Sequence, residues 1–172
     1  TASKILDTAT RLFMQLGYRA VSINDIVKAA EITKPTLYYY FPDKEALFAQ
    51  MALRRLIELH SAMDRALAGA TTLLARLAGL AGVLLDSSNG DMRLMRHEMA
   101  EHLAPEHQRR LGIAFQQHLF EPVRHVMRQG LDLAELNGYS ADELTWMFLA
   151  MMEAFHGLVS FADHTPELER SA

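Results

Sequence analysis

An all-α fold is predicted, with a small N-terminal head of three helices and a larger helical part behind it. Three observations predict it. Apolar residues recur at helical spacing through most of the 172-residue chain. Capping residues and glycines punctuate the periodic segments where helices should begin and end. Between Ser22 and Lys44, in SINDIVKAAEITKPTLYYYFPDK, two short helices are joined by a tight turn and followed by a cap that opens another helix.

The head is read in order. Residues 3–16 place Leu6, Ala9, Leu12, Phe13 and Leu16 on one helical face, and Gly17 supplies the stop. Tyr18 to Val21 is an extended link. Ser22 is the N-cap of the second helix, with Asp25 as an acidic partner in a capping box, and Ile23, Ile26, Val27 and Ala30 form its inner face. Ile32 packs the turn, and Thr33 caps a third helix whose first turn holds Pro35, where a missing N–H costs nothing. Pro42 disfavours the helical region for Phe41, so this helix is short, and Asp43 caps the next. Phe13, Val21, Ile26, Ile32, Leu37 and Phe41 should form a small core that fixes the angle of the third helix. That helix leaves Lys34, Thr36, Tyr38, Tyr39 and Tyr40 outside the core, an arrangement that suits the DNA major groove.

Behind the head, residues 43–67 form one long helix without internal Pro or Gly. It is a stiff rod able to carry a displacement between two sites. After the Gly69 turn, Leu73, Leu74, Leu77, Leu80, Leu84 and Leu85 mark a fifth helix, ended by Ser87, Ser88, Asn89 and Gly90. A sixth runs from Asp91 to Leu103. Pro105 opens a seventh, running to about Leu131, in which Pro122 cannot donate to the carbonyl of His118, so a kink is expected. Asn137 and Gly138 turn the chain, and Ser140 caps an eighth helix to about Ala162, with Leu144, Phe148, Met151, Phe155, Leu158 and Val159 on one face and Leu149, Met152 and His156 widening it. A helix apolar over most of its circumference must be covered on two sides. The second cover is most economically another copy of the chain, and Gly157 would let its helix approach closely. A two-fold dimer built on the seventh and eighth helices is therefore expected.

Composition bounds the function. Half the residues are hydrophobic, enough to bury a real core. The chain holds no cysteine. No run of about eighteen apolar residues appears and no signal peptide precedes the first helix, so a soluble, cytoplasmic protein is expected, with no membrane partner. The net charge of −4 argues, taken alone, against a nucleic-acid partner. Up to residue 48, however, 6 Lys and Arg stand against 5 Asp and Glu, and beyond it 11 stand against 16, so the acidity lies outside the head. A weakly charged reader relies on locally placed cations and tyrosine hydroxyls, and repulsion from the acidic body makes its binding salt-sensitive. All eight histidines lie beyond residue 59 without a tight ligand pair: His97 and Glu98 begin something like HExxH, but residue 101 is Glu and His102 comes a residue late. With no Ser/His/Asp spacing and no Gly-rich phosphate loop either, neither an enzyme, a cofactor nor a metal site is expected.

The segment that holds Ser22, Ile26, Val27, Leu37, Tyr38, Tyr39, Tyr40, Phe41 and Lys44 resembles the helix-turn-helix of the tetracycline-repressor (TetR) family of bacterial transcriptional regulators. The close match covers about the first quarter of the chain, and beyond it helix order and length are similar. The resemblance implies a DNA-binding domain over residues 1–46 and a ligand-binding and dimerisation domain over 47–172. It places phosphate contacts at Ser22, Tyr39, Tyr40 and Lys44, and sets Thr33, Lys34, Pro35, Thr36 and Tyr38 toward base edges. Lys34 suits guanine, while Pro35, the Thr36 methyl and the Tyr38 ring suit thymine methyls. Where the family usually has glycine in the turn, this chain has Glu31, at a cost of about 1–2 kcal/mol if the left-handed backbone is kept.

The resemblance also implies a small-molecule effector held between the later helices. Met95, Met99, Phe115, Phe148, Met152 and Phe155, with His60 and Met63 on the long helix, offer an adaptable apolar lining. His102, His118 and His156 are its polar anchors. The expected effector is apolar or amphipathic, and the expected partners are a palindromic double-stranded operator and a second copy of the chain. The chain is shorter than is usual in the family, so a final helix is expected to be lacking or cut short. Two other readings remain: a DNA-binding regulator without a small ligand, and a helical small-molecule or metal-binding protein.

Overall fold

The structure, a computed structural model, describes residues 1–86 and 92–163, and of residues 92–96 and 156–163 the backbone only. Among these residues there are nine α-helices and no strand. They are α1 (Ala2–Leu16), α2 (Ile23–Ala29), α3 (Lys34–Tyr40), α4 (Lys44–Leu67), α5 (Leu73–Leu85), α6 (Met92–His102), α7 (Pro105–Phe115), α8 (Glu121–Asp132) and α9 (Ala141–Asp163). The expected stop at Ser87 to Gly90 lies outside the described residues. The helices pack as two units: one holds Thr1–Glu58 and Met92–His118, the other takes the rest of the described chain.

In the first unit, α1 turns Ile5, Leu6, Ala9 and Phe13 inward and ends where Gly17, at φ 80°, donates its N–H to the Phe13 carbonyl at 2.9 Å. Val21, Ile26, Leu37 and Phe41 close over that face, and Leu47, Phe48, Met51 and Ala52 of α4 continue it. Leu103 and Leu111 join the same core, so α6 and α7 pack with the head. Ile32, expected inside, is half-buried at the edge. Each large side chain that is fully covered contributes about 1.5–3 kcal/mol.

In the second unit, Thr72 caps α5 by accepting the Ala75 N–H at 3.2 Å, a cap the sequence reading did not name. Leu80 of α5, Val123 and Val126 of α8, Phe148 and Met152 of α9 and Met63 from the last turns of α4 are buried there. The one buried hydroxyl among them, Thr145, donates to the Ala141 carbonyl at 2.7 Å. Ser140 and Glu143 form a reciprocal cap on α9, at 3.2 and 2.7 Å.

The predicted seventh helix is two helices. Between α7 and α8 the chain takes a π-helical turn over Gln116–Phe120, just before Pro122 in the first turn of α8. Pro122 offers no N–H to the His118 carbonyl and its ring crowds that turn, and the wider π-helical ring absorbs both. The disruption expected at Pro122 thus falls one turn earlier.

Candidate nucleic-acid interface

The interface is built from caps and one turn. Ser22 Oγ accepts the Asp25 N–H at 3.2 Å, and Asp25 Oδ2 accepts the Ser22 N–H at 2.8 Å, which completes the box and starts α2. The Ser22 hydroxyl, donating to Asp25 Oδ2 at 2.6 Å, and after it the Ser22 N–H hold the Asp25 carboxyl below its ordinary range. At the other end, Ile32 N–H donates to Val27 O at 3.1 Å and Glu31 N–H to Lys28 O at 3.2 Å. That pair of bonds is a Schellman motif, and it requires a left-handed residue between them. Glu31 takes that position at φ 53°. The glutamate therefore keeps the turn geometry and bears its steric cost.

From this turn Thr33 caps α3, accepting the Thr36 N–H at 3.3 Å with its hydroxyl 2.8 Å from that of Thr36. Leu37 has no exposed surface and anchors the helix from below. Phe41 ends it in an extended conformation at φ −135°, and Asp43 Oδ1 caps α4 through the Ala46 N–H at 2.7 Å. Thr33, Lys34 and Pro35 are exposed and Thr36 is half-buried. Tyr38 is 47% exposed and Tyr40 41%, whereas Tyr39 is 80% exposed, so Tyr39 contributes little to the core. Tyr39 and Tyr40 meet edge to face, their centroids 5.0 Å apart. α3 thus gathers six of the nine expected contact residues, with Thr33 as its cap. Ser22 stands at the start of α2.

Lys44 is placed differently. Its Nζ lies 4.1 Å from the centroid of the Tyr18 ring. Burial lowers its pKa, and Glu98 and Asp25 pull the other way. Tyr18, read from sequence as part of a plain link, is the centre of an aromatic group. It stacks on Phe13 at 5.7 Å and on His102 at 5.1 Å, and meets Phe48 at 4.9 Å. Burial, then Glu45, Asp43 and Glu98, push the Tyr18 hydroxyl up.

The expected effector residues fall into two sets. Met99 packs against the head core, while His102 lies on Tyr18 with Nε2 3.4 Å from carboxylate oxygens of both Glu98 and Glu101. Phe115 and His118, both half-buried, belong to that same unit. In the other unit Met63, Phe148 and Met152 are buried, His60 pairs with Asp64 at 3.4 Å, and Phe155 is 48% exposed. The side chains of Met95 and His156 lie outside the described residues. Among the described residues no group of three His, Asp or Glu side chains is placed to hold a metal ion, and no helix is long and apolar enough to cross a membrane.

Comparison with known proteins agrees with this geometry. Residues 5–51 match the family of bacterial regulatory proteins described as tetR family. Over 47 residues the chain is 47% identical to the uncharacterized HTH-type transcriptional regulator YuxN of Bacillus subtilis, a match covering 27% of this chain and 16% of that protein. Over 51 residues it is 43% identical to the HTH-type transcriptional regulator AcrR of Shigella flexneri, covering 30% of this chain and 24% of AcrR. The matched stretch thus spans less than a quarter of either relative. Solved structures extend the likeness of fold along the chain. The TetR family transcriptional regulator PfmR of Thermus thermophilus aligns with TM-score 0.72 over 92% of this chain and 95% of its own, at 22% identity. The transcriptional regulator FadR of Bacillus subtilis, solved in complex with stearoyl-CoA, aligns with TM-score 0.80 over 96% and 90%, at 16% identity. Residues 5–51 of the head thus match the tetR family of bacterial regulatory proteins, and the helical fold along the chain is like that of PfmR and FadR.

Proposed function

We propose that the chain is a cytoplasmic transcriptional repressor that binds a palindromic operator as a homodimer and leaves it when a small apolar or amphipathic effector binds. One observation carries the DNA-binding part: a short helix, anchored by the fully buried Leu37, that turns Thr33, Lys34, Pro35, Tyr38 and Tyr39 outward. Lys34 reads guanine, Pro35, Thr36 and Tyr38 meet thymine methyls, and Ser22, Tyr39, Tyr40 and Lys44 hold the phosphate backbone. Among the relatives, the icaADBC regulator IcaR of Staphylococcus aureus is a negative transcriptional regulator, which favours repression.

Residues 1–46 do the reading, and 47–172 hold the effector and the dimer contact. For the dimer, α9 exposes Trp146, Met147, Met151 and Phe155, each about half accessible, where a second copy would cover them. For the effector, Met63, Phe148 and Met152 supply an apolar wall, and the stearoyl-CoA bound to FadR is a ligand of the expected class. By linkage the effector must bind the DNA-free state better, about 1.4 kcal/mol for each tenfold loss of operator affinity.

The test is selection of bound duplexes from a random pool at two salt concentrations, followed by titration of the selected site. A palindrome with half-sites about one helical turn apart is expected. Lys34→Ala should cost about 1–3 kcal/mol on the selected site and relax one base position. A variant that loses equal affinity for selected and random DNA removes Lys34 from base recognition.

A further inference from the structure

The head unit carries a groove of about 680 Å³ between the start of α1, the end of α3, one face of α4 and the start of α7. That volume lies within the range of small-molecule sites, about 300–1,000 Å³. Its floor is apolar: Leu6, Phe41 and Leu111, each almost covered, and the half-buried Leu53. Its charged groups are two guanidinium ions, Arg54 and Arg110, beside the polar Ser3, Gln50 and His107.

The balance of charge decides what the groove can hold. Arg54 is held by Asp7 at 2.7 Å and Glu58 at 3.6 Å, and donates to Thr10 Oγ1 at 3.3 Å. His107 is 4.0 Å from Glu45. Arg110 has no carboxylate partner among the described residues. One uncompensated guanidinium, that of Arg110, therefore stands beside an apolar floor, while that of Arg54 is already paired with Asp7 and Glu58. A cationic or purely apolar occupant leaves Arg110 unanswered, and an inorganic anion leaves the floor unused.

We propose that this groove binds a small anionic amphiphile, with its apolar body along Leu6, Phe41, Leu53 and Leu111 and its carboxylate or phosphate head on Arg110. The site is separate from the effector residues proposed above, none of which lines it. Because Tyr40 and Phe41 form part of its wall, the occupant touches the end of the reading helix. It is therefore coupled to any partner that uses Tyr40.

The test is calorimetric titration of the full chain with dodecanoate, dodecyl phosphate, dodecyltrimethylammonium and inorganic phosphate, the two amphiphilic anions and the cation below their micelle concentrations. Both amphiphilic anions should bind, and the ammonium of equal tail should bind at least about tenfold more weakly, as should phosphate alone. Arg110 is exposed, so Arg110→Glu should fold normally and weaken dodecanoate by about tenfold or more, while Arg110→Lys, which keeps the charge but not the fork, should lose less. Binding that ignores Arg110→Glu, or that treats the anion and the cation alike, overturns the proposal, as does no binding by the parent chain. No DNA is present in the titration, so its failure stays separate from any failure of the repressor reading.

Discussion

Replacing Glu31 separates backbone strain from side-chain chemistry in the turn that aims α3. At φ 53° a residue with a Cβ costs about 1–2 kcal/mol relative to glycine. Against this, glycine at the site frees the unfolded chain by about 0.4–1 kcal/mol. The Glu31 side chain also pairs with Lys4 at 3.5 Å, but both are mostly exposed, so the pair is worth about 0–1 kcal/mol. Glu31→Gly therefore changes stability by between a loss of about 1 and a gain of about 1.6 kcal/mol. Comparison with Glu31→Ala is cleaner, since both lose the ion pair and only alanine keeps the strain: the alanine variant should be less stable than the glycine one by about 1 kcal/mol. The readout should come from the head, for example hydrogen exchange at the Leu37 amide, because the single tryptophan, Trp146, belongs to the other unit. Equal protection in the two variants would refute the claim that this residue sits strained in its turn.

Leu37→Ala removes the fully buried anchor of the reading helix and should cost about 2–5 kcal/mol, seen as loss of head protection before any change in the second unit. Asp25 has a folded pKa below its unfolded value, held there by Ser22, so its contribution is present above the unfolded pKa and is lost as pH falls through the folded one. Head stability should thus decline on acidification below the ordinary carboxylate range, and Asp25→Asn should flatten that decline; an unchanged profile in the variant counts against the cap.

Local chemistry made much of this legible. Ser22 with Asp25, Thr33, Asp43 and Ser140 cap where the sequence places caps, because a cap needs only a side-chain oxygen and an N–H three residues on. Thr72, which stands immediately before an apolar run, carries the same signal. The π-helical turn was half legible: Pro122 announces a disrupted helix, but where the extra residue is absorbed depends on packing that spacing does not encode. Least legible was what α6 packs on. His102 read as one anchor of an apolar lining, whereas its ring lies on Tyr18 beside Glu98, and nothing local in the sequence brings residues 18, 44 and 102 together.

That grouping bears directly on DNA binding through Lys44. Sequence places the lysine among the phosphate contacts, while the fold sets its ammonium over the Tyr18 ring, a contact worth about 0.5–2 kcal/mol. A phosphate must therefore draw Lys44 off the ring, or Lys44 stays and serves only the fold. Salt dependence separates the two, since each neutralised phosphate steepens the dependence of log affinity on log salt by about 0.9. If Lys44 moves, Lys44→Ala should make that slope shallower by about one, and Tyr18→Leu, which removes the competing ring, should strengthen binding to all sequences alike when read on a head that still folds. If it stays, Lys44→Ala leaves the slope unchanged and lowers stability alone. The half-buried ammonium, its charged form already disfavoured by burial, gains from an external anion what it lacks in water. We expect the shallower slope.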